Sequence, residues 1–223
     1  MIGAITFASG WPAAWMLLLF FFSSSLLGRL TRTLRAAGTL AEEQAAPRGA
    51  TQVMAVGLVP AAAAFCVLFT GEARWLWGMA GALAFATSDT WSTDWGQTFP
   101  GLPRWLGFGR NVEPGQSGGM TLRGTLAGAL GALFLACAGT VALRGTLRQA
   151  LLVAGVAWGG SLLDSVLGAL AQWRGTCVVC GRLTERRRHC GARALTLRPG
   201  LSNEGVNLVC SALCLWLGTL AAA

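Results

Sequence analysis

Lysine and tyrosine are absent from this 223-residue chain, histidine occurs once, and only 12% of the residues are charged. Without lysine there is no Walker A phosphate loop, whose lysine reaches the β- and γ-phosphates, and no Schiff-base chemistry. A soluble domain carries about a quarter charged residues. Half that share, with 54% hydrophobic residues, excludes an ordinary soluble domain and indicates one membrane-embedded helical bundle spanning residues 1–223. The positive charge is all arginine, for which genomic base composition is reason enough. A net charge of +8 reports loop topology in such a protein rather than nucleic-acid binding.

The hydropathy pattern predicts an all-α, polytopic bundle of about six transmembrane helices, each near the roughly 20 residues a bilayer requires. The first lies within residues 1–28. The others are expected at Thr51–Thr70, Arg74–Gly96, Leu122–Leu143, Leu147–Trp173 and Asn203–Leu220. The first run ends on Arg29, not on a small-residue cleavage site, and no basic region precedes it, so it reads as a span and not a signal peptide. Three long loops, about 29–50, 97–121 and 174–200, carry thirteen of the seventeen arginines, and Arg123 just past the second makes fourteen. The positive-inside rule puts those loops in the cytoplasm and both termini outside, in the inner membrane if the source is bacterial.

The run Ala84–Thr121 organises the rest. An apolar helix runs into Asp89 and Asp94, then opens into a Gly/Pro-rich loop with Arg104 and Arg110, closing on Ser117-Gly118-Gly119 and Thr121. Carboxylates inside an apolar helix are costly and mark function by default; the plainer alternative is a pair of interfacial acids. Free backbone N–H groups and guanidinium forks are what a phosphate needs. Asp164 lies in the fifth helix between Gly160 and Gly168, a small-residue stripe that admits a neighbouring helix or a ligand. It sits about nine residues, or roughly 13 Å, from that helix's cytoplasmic end; as a purely structural group it would anchor a hydrogen bond between helices. The sixth helix opens on Asn203, Glu204 and Asn207, with Ser202 or Asn203 as cap; dipole logic alone also places Glu204 there. Arg48 and Gln52 stand four residues apart at the mouth of the second helix.

The last loop carries Cys177-Val-Val-Cys180 and then His189-Cys190. This is zinc-ligand chemistry, although an adjacent His–Cys pair is a poor chelate; the alternative is a reduced loop whose arginines meet lipid phosphates. Cys66, Cys137, Cys210 and Cys214 fall in apolar helices and read as packing residues.

In order, the runs RGATQVMA, SDTWSTDWG, PGQSGGMT, GGSLLDSVLGALAQ, CVVC…HCG and LSNEGVN resemble the membrane family first catalogued as domain-of-unknown-function 92, which includes transmembrane protein 19. The resemblance covers about residues 20–215. Asp94 stands where that family more often has Glu, and Glu204 where Asp is expected. The relatives best understood are the phytyl-phosphate kinases of plant vitamin E synthesis. The resemblance therefore implies a Mg²⁺-dependent membrane lipid kinase that moves a nucleotide γ-phosphoryl group to an isoprenoid (phytyl or prenyl) monophosphate. Asp89 and Asp164 would hold Mg²⁺. Asp94, Asn203, Glu204 and Asn207 would complete the shell or orient the acceptor. Arg48, Gln52, Arg104, Arg110, Ser117, Gly118, Gly119 and Thr121 would meet nucleotide (CTP or another) and phosphate. Two alternatives stay open: a CTP-dependent nucleotidyltransferase making a CDP-lipid, and a non-enzymatic lipid or ion transporter. The apolar non-cytoplasmic helix ends count against the transporter.

Overall fold

The helix Arg74–Gly96 (α4) is the centre of the molecule. A computed structural model describes residues 2–37, 50–99, 101–113 and 116–222. Before α4 come α1 (Ile2–Ala8), α2 (Trp11–Ala37) and α3 (Ala50–Thr70); after it come α5 (Leu122–Ala142), α6 (Leu147–Ala171) and α7 (Asn203–Thr219). Helices α2, α3, α5, α6 and α7 all pack against α4. Every residue from Trp77 to Ser88 is buried.

Among the described residues, four helical stretches are long and apolar enough to cross a membrane: Trp11–Leu34, Leu122–Ala142, Leu147–Ala171 and Asn203–Ala222. Val56–Thr70 is a shorter apolar helix. The central α4 is not among them, because its second half carries Ser88, Asp89, Thr90, Ser92, Thr93 and Asp94. Wrapped by its neighbours, it has no need of a lipid-compatible surface; polar groups at membrane depth are tolerated where protein surrounds them. The outer helices expose Phe21, Phe22, Leu26, Leu126, Leu130 and Leu151, as spans facing lipid do.

The first expected helix is two. Gly10, at φ +114°, breaks the chain between α1 and α2, a conformation that favours glycine. Pro12 then sits in the first turn of α2, where its missing N–H costs nothing. α2 also runs past residue 28 to Ala37, so Arg29 and Arg32 are helical and not part of a loop. Hydropathy locates the apolar stretch but not the helix end, and arginines near a helix C-terminus suit its dipole. Residues 38–49, with Arg48, lie outside the described residues.

Glycines set the helix spacing. A Cβ on Gly81 of α4 would strike the backbone carbonyl of Cys214 on α7, and one on Gly218 would lie 2.7 Å from the Trp77 carbonyl oxygen. On α5, Gly124, Gly128 and Gly131 meet Ser92, Ser88 and Trp91 of α4, and Gly124 also abuts Gly96. Gly124 and Gly128 thus bring α5 into close contact with α4. Small residues at such crossings let backbones approach, which is how helices gain packing energy in lipid.

The expected loops 97–121 and 174–200 are folded. Strands β1 (Arg104–Trp105) and β2 (Gly119–Met120) pair antiparallel. Strand β3 (Arg174–Thr176) pairs with β4 (Leu183–Thr184) and with β7 (Leu195–Arg198), while β5 (Arg188–His189) and β6 (Ala192–Arg193) form a hairpin. Both loops lie at the same end of the bundle, where α4 and α6 end and α5 and α7 begin. Gly118 rests on Ala169 near the end of α6, and the Gln172 and Leu201 backbones bridge α6 to α7.

Candidate functional site

Two carboxylates meet inside the bundle. Asp89 on α4 and Asp164 on α6 are half-buried and close enough for Asp89 to act electrostatically on Asp164. Cys210 on α7 lies near both carboxylates. Oδ1 of Asp164 is shut off from solvent and has no hydrogen-bond partner among the described residues. An orphaned carboxylate oxygen beside a second carboxylate is costly in an apolar bundle. Hard divalent cations take such oxygens, so the pair fits Mg²⁺. Asn207 shares the buried face of α7 with Cys210 and Ser211, which adds an amide oxygen on that side.

The expected glycine stripe around Asp164 has two different partners. Gly160 admits Cys214 of α7 and Phe85 of α4, while Gly168 admits the Ser117 side chain, 3.3 Å from where its Cβ would be. One glycine seats a helix and the other seats a loop. Gly168 is four residues past Asp164, so the loop docks about 6 Å further along α6.

That docking is held by Glu185, a residue sequence reasoning missed. Its carboxylate accepts from the Ser117 amide at 3.0 Å and the Ser117 hydroxyl at 2.5 Å. It also accepts from Gln172 Nε2 at 2.9 Å. Arg174 completes the junction, with its guanidinium donating to the Ser117 carbonyl at 2.9 Å and its Nε 3.7 Å from Glu185 Oε1. Burial lowers the Arg174 pKa from its usual value; Glu185 opposes that, and Arg198 and Arg110 add to it. Arg198 and Arg110 thus lie close enough to Arg174 to act on it electrostatically, and of the three it is Arg174 that pairs with the Glu185 carboxylate. Arg198 is bound into the scaffold: it donates to the Gln172 and Ala169 carbonyls at the end of α6. The available signal was that Glu185 is the lone acid among the seven arginines of residues 174–200.

Several expected contacts need correction. The Ser117-Gly118-Gly119 turn does not offer a row of free amides, because Ser117 donates to Glu185 and Gly119 donates to the Gln116 carbonyl. Gly118, at φ +82° and against Ala169, is required for docking. Thr121 caps α5 through the Gly124 amide. Asp94 points toward α2, its Oδ2 lying 3.4 Å from where a Gly28 Cβ would be. Ser92 and Gly96 line the α4–α5 seam. Arg110 joins the guanidinium group through Arg174, whereas Arg104 stands exposed on β1. Ser202 caps α7, leaving Asn203 exposed and Glu204 half-buried in the first turn. The Gln52 side chain, like Arg48, lies outside what is described.

A second cluster forms in the other loop. The ligand atoms of Cys177, Cys180, His189 and Cys190 all lie within 4.8 Å of one another. Hydrogen bonding, first from the Cys180 amide, pulls the Cys177 thiol down to about 6; that to Cys180 pushes the Cys190 thiol up to about 11.

Known proteins agree with the membrane reading. An uncharacterized membrane protein of Methanocaldococcus jannaschii, MJ0933, is 35% identical over 162 residues, which is 72% of this chain and 65% of that protein. Protein PGR of Arabidopsis thaliana is 28% identical over 253 residues, covering 99% of this chain and 85% of its own length. An uncharacterized membrane protein of Synechocystis, sll0875, is 29% identical over 180 residues, 77% of this chain and 68% of that one. This chain thus spans just under two thirds of the archaeal relative. No solved structure matches. The model of the integral membrane protein family DUF92 matches residues 1–215, and the chain belongs to that family.

Proposed function

We propose that this protein is a membrane phosphotransferase that moves the γ-phosphoryl group of a nucleoside triphosphate to an isoprenoid monophosphate. The observation that carries this reading is the Asp89–Asp164 pair, with its orphaned Oδ1, one helical turn below a junction of three guanidinium groups. Phosphoryl transfer asks a protein mainly for positioning and charge neutralisation. Asp89 and Asp164 would hold Mg²⁺, which supplies charge neutralisation to the transferring group when bound. Arg110, exposed at the junction, meets nucleotide phosphate from water, and Arg174 holds the junction's charge in place. The acceptor's ionised phosphate oxygen attacks the γ-phosphorus; the bond to the β-bridging oxygen breaks, and the nucleoside diphosphate leaves. An ionised acceptor needs no general base, in keeping with a site whose chain has its one histidine elsewhere. The lipid tail lies between helices.

The test is product analysis. Purified protein, a prenyl monophosphate, each nucleoside triphosphate and Mg²⁺ should yield prenyl diphosphate and nucleoside diphosphate by mass spectrometry. A CDP-lipid with pyrophosphate would make the protein a nucleotidyltransferase. The absence of any product across all nucleotides and prenyl phosphates would overturn the enzyme reading.

The same reading places the arginine-rich end in the cytoplasm, where nucleotides are, by the positive-inside rule. A cysteine in place of exposed Leu102 should then resist a membrane-impermeant maleimide in intact cells. One in place of exposed Glu72, at the other end, should be labelled. The reverse pattern, judged against the unsubstituted chain, sinks the orientation.

A further inference from the structure

We infer that Cys177, Cys180, His189 and Cys190 form a structural zinc site that folds the cap made by strands β3–β7 and so presents Glu185 to Ser117. This site stands apart from the phosphotransfer reading. Tetrahedral zinc, with Zn–S near 2.3 Å and Zn–N near 2.0 Å, separates a sulfur from a nitrogen ligand by about 3.5 Å. The observed Sγ–Nδ1 distances to His189 are 3.6 Å for Cys180 and 3.2 Å for Cys190. All four ligand atoms fall within 4.8 Å of each other, compact enough to surround one ion.

The backbone resolves the objection that adjacent residues chelate poorly. Cys190 has φ +50°, a left-handed conformation that a cysteine rarely adopts, and Gly191 follows at +76°. This pair turns the β5–β6 hairpin so that His189 Nδ1 and Cys190 Sγ converge. The other half turns on Gly181 at φ +70°, with the Val179 amide 3.4 Å from Cys177 Sγ. Strain at a non-glycine residue persists where surrounding structure over-determines it, and a metal bond to Cys190 does so here.

Polar contacts tie the cap to the end of α6, but little apolar packing holds its strands to one another. Its strands are two to four residues long. Val178, Val179, Leu183, Leu195 and Leu197 point outward. Segments this small without an apolar core need a metal, a disulfide or a partner to fold, and Cys177, Cys180 and Cys190 form no disulfide. Glu185 lies between the two ligand pairs in sequence, so the ion that joins the pairs also positions Glu185.

Tag-free protein purified without chelator should carry about one zinc per chain by elemental analysis. Cys180→Ser and Cys190→Ser should lose it, whereas Cys137→Ser, in α5, and Glu185→Gln should keep it. Should the cysteine variants fail to fold, wild-type protein decides. Stripping it with a chelator should accelerate tryptic cleavage at Arg186, Arg187 and Arg188 at least about tenfold, and added Zn²⁺ should restore protection. Protein without zinc whose cleavage is unchanged by added Zn²⁺ overturns the inference. So does stoichiometric iron in place of zinc.

Discussion

Asp164→Asn should lower phosphoryl transfer about 100-fold or more while leaving the fold intact. The substitution keeps shape and one carbonyl oxygen but removes the charge that would bind the cation. Losing one electrostatic group matched to the transition state costs about 10²–10³ in turnover, and the loss should appear in kcat more than in KM. Stability should move the opposite way. Asp89 and Asp164 repel each other inside the bundle, and a neutral amide is easier to bury than a second carboxylate. The variant should therefore melt at or above the wild-type temperature in Mg²⁺-free buffer. Wild type should gain stability as Mg²⁺ is added, by about 2.7 kcal/mol at 100 times its Kd; Asp164→Asn and Asp89→Asn should gain little. Wild-type turnover in the doubly substituted protein would remove the site. Equal Mg²⁺ stabilisation of all three proteins would remove the cation from the pair.

The second large effect is structural. Gly81→Val should prevent α4 from seating on α7. The atom in the way is the Cys214 carbonyl, with the Gly218 backbone just beyond it, so no rotamer change relieves the clash. Overpacking of a core costs about 1–3 kcal/mol when side chains can adjust. Here a whole helix must shift, which puts the cost at or above the top of that range. The variant should lose its sharp size-exclusion peak in detergent or melt far below wild type. Gly155→Ala and Gly159→Ala are the controls, because nothing lies within 4 Å of either added Cβ. Alanine is the better helix former by about 1 kcal/mol, so both should be neutral or stabilising. A Gly81→Val protein that melts with the wild type would mean that α4 and α7 do not cross this closely in the membrane.

These two tests separate the layers of the protein. Asp164→Asn acts on chemistry through a folded bundle, and Gly81→Val acts on the bundle itself. If Asp164→Asn also collapsed the protein, Asp164 would be a structural anchor between α4 and α6 and not a cation ligand. The orphaned Oδ1 argues for the ligand, since a structural anchor would be hydrogen-bonded.

The sequence by itself determined what depends on local composition. Apolar runs of membrane length placed α5, α6 and α7 to within a few residues, because the bilayer acts on each span separately. It also singled out Asp89 and Asp164, since an acid inside an apolar helix is conspicuous without any partner. The Cys/His set was legible from spacing. The tertiary structure alone decided which residues meet. Ser117 and Glu185, 68 positions apart, are joined by the docking of two loops on the end of α6, and no local pattern encodes that pairing. It likewise decided that the Ser117-Gly118-Gly119 amides serve the junction, that Asp94 turns to α2, and that α4 is the central helix although it is the more polar one. Hydropathy outlined α4 as one span among six; only packing shows that the others surround it.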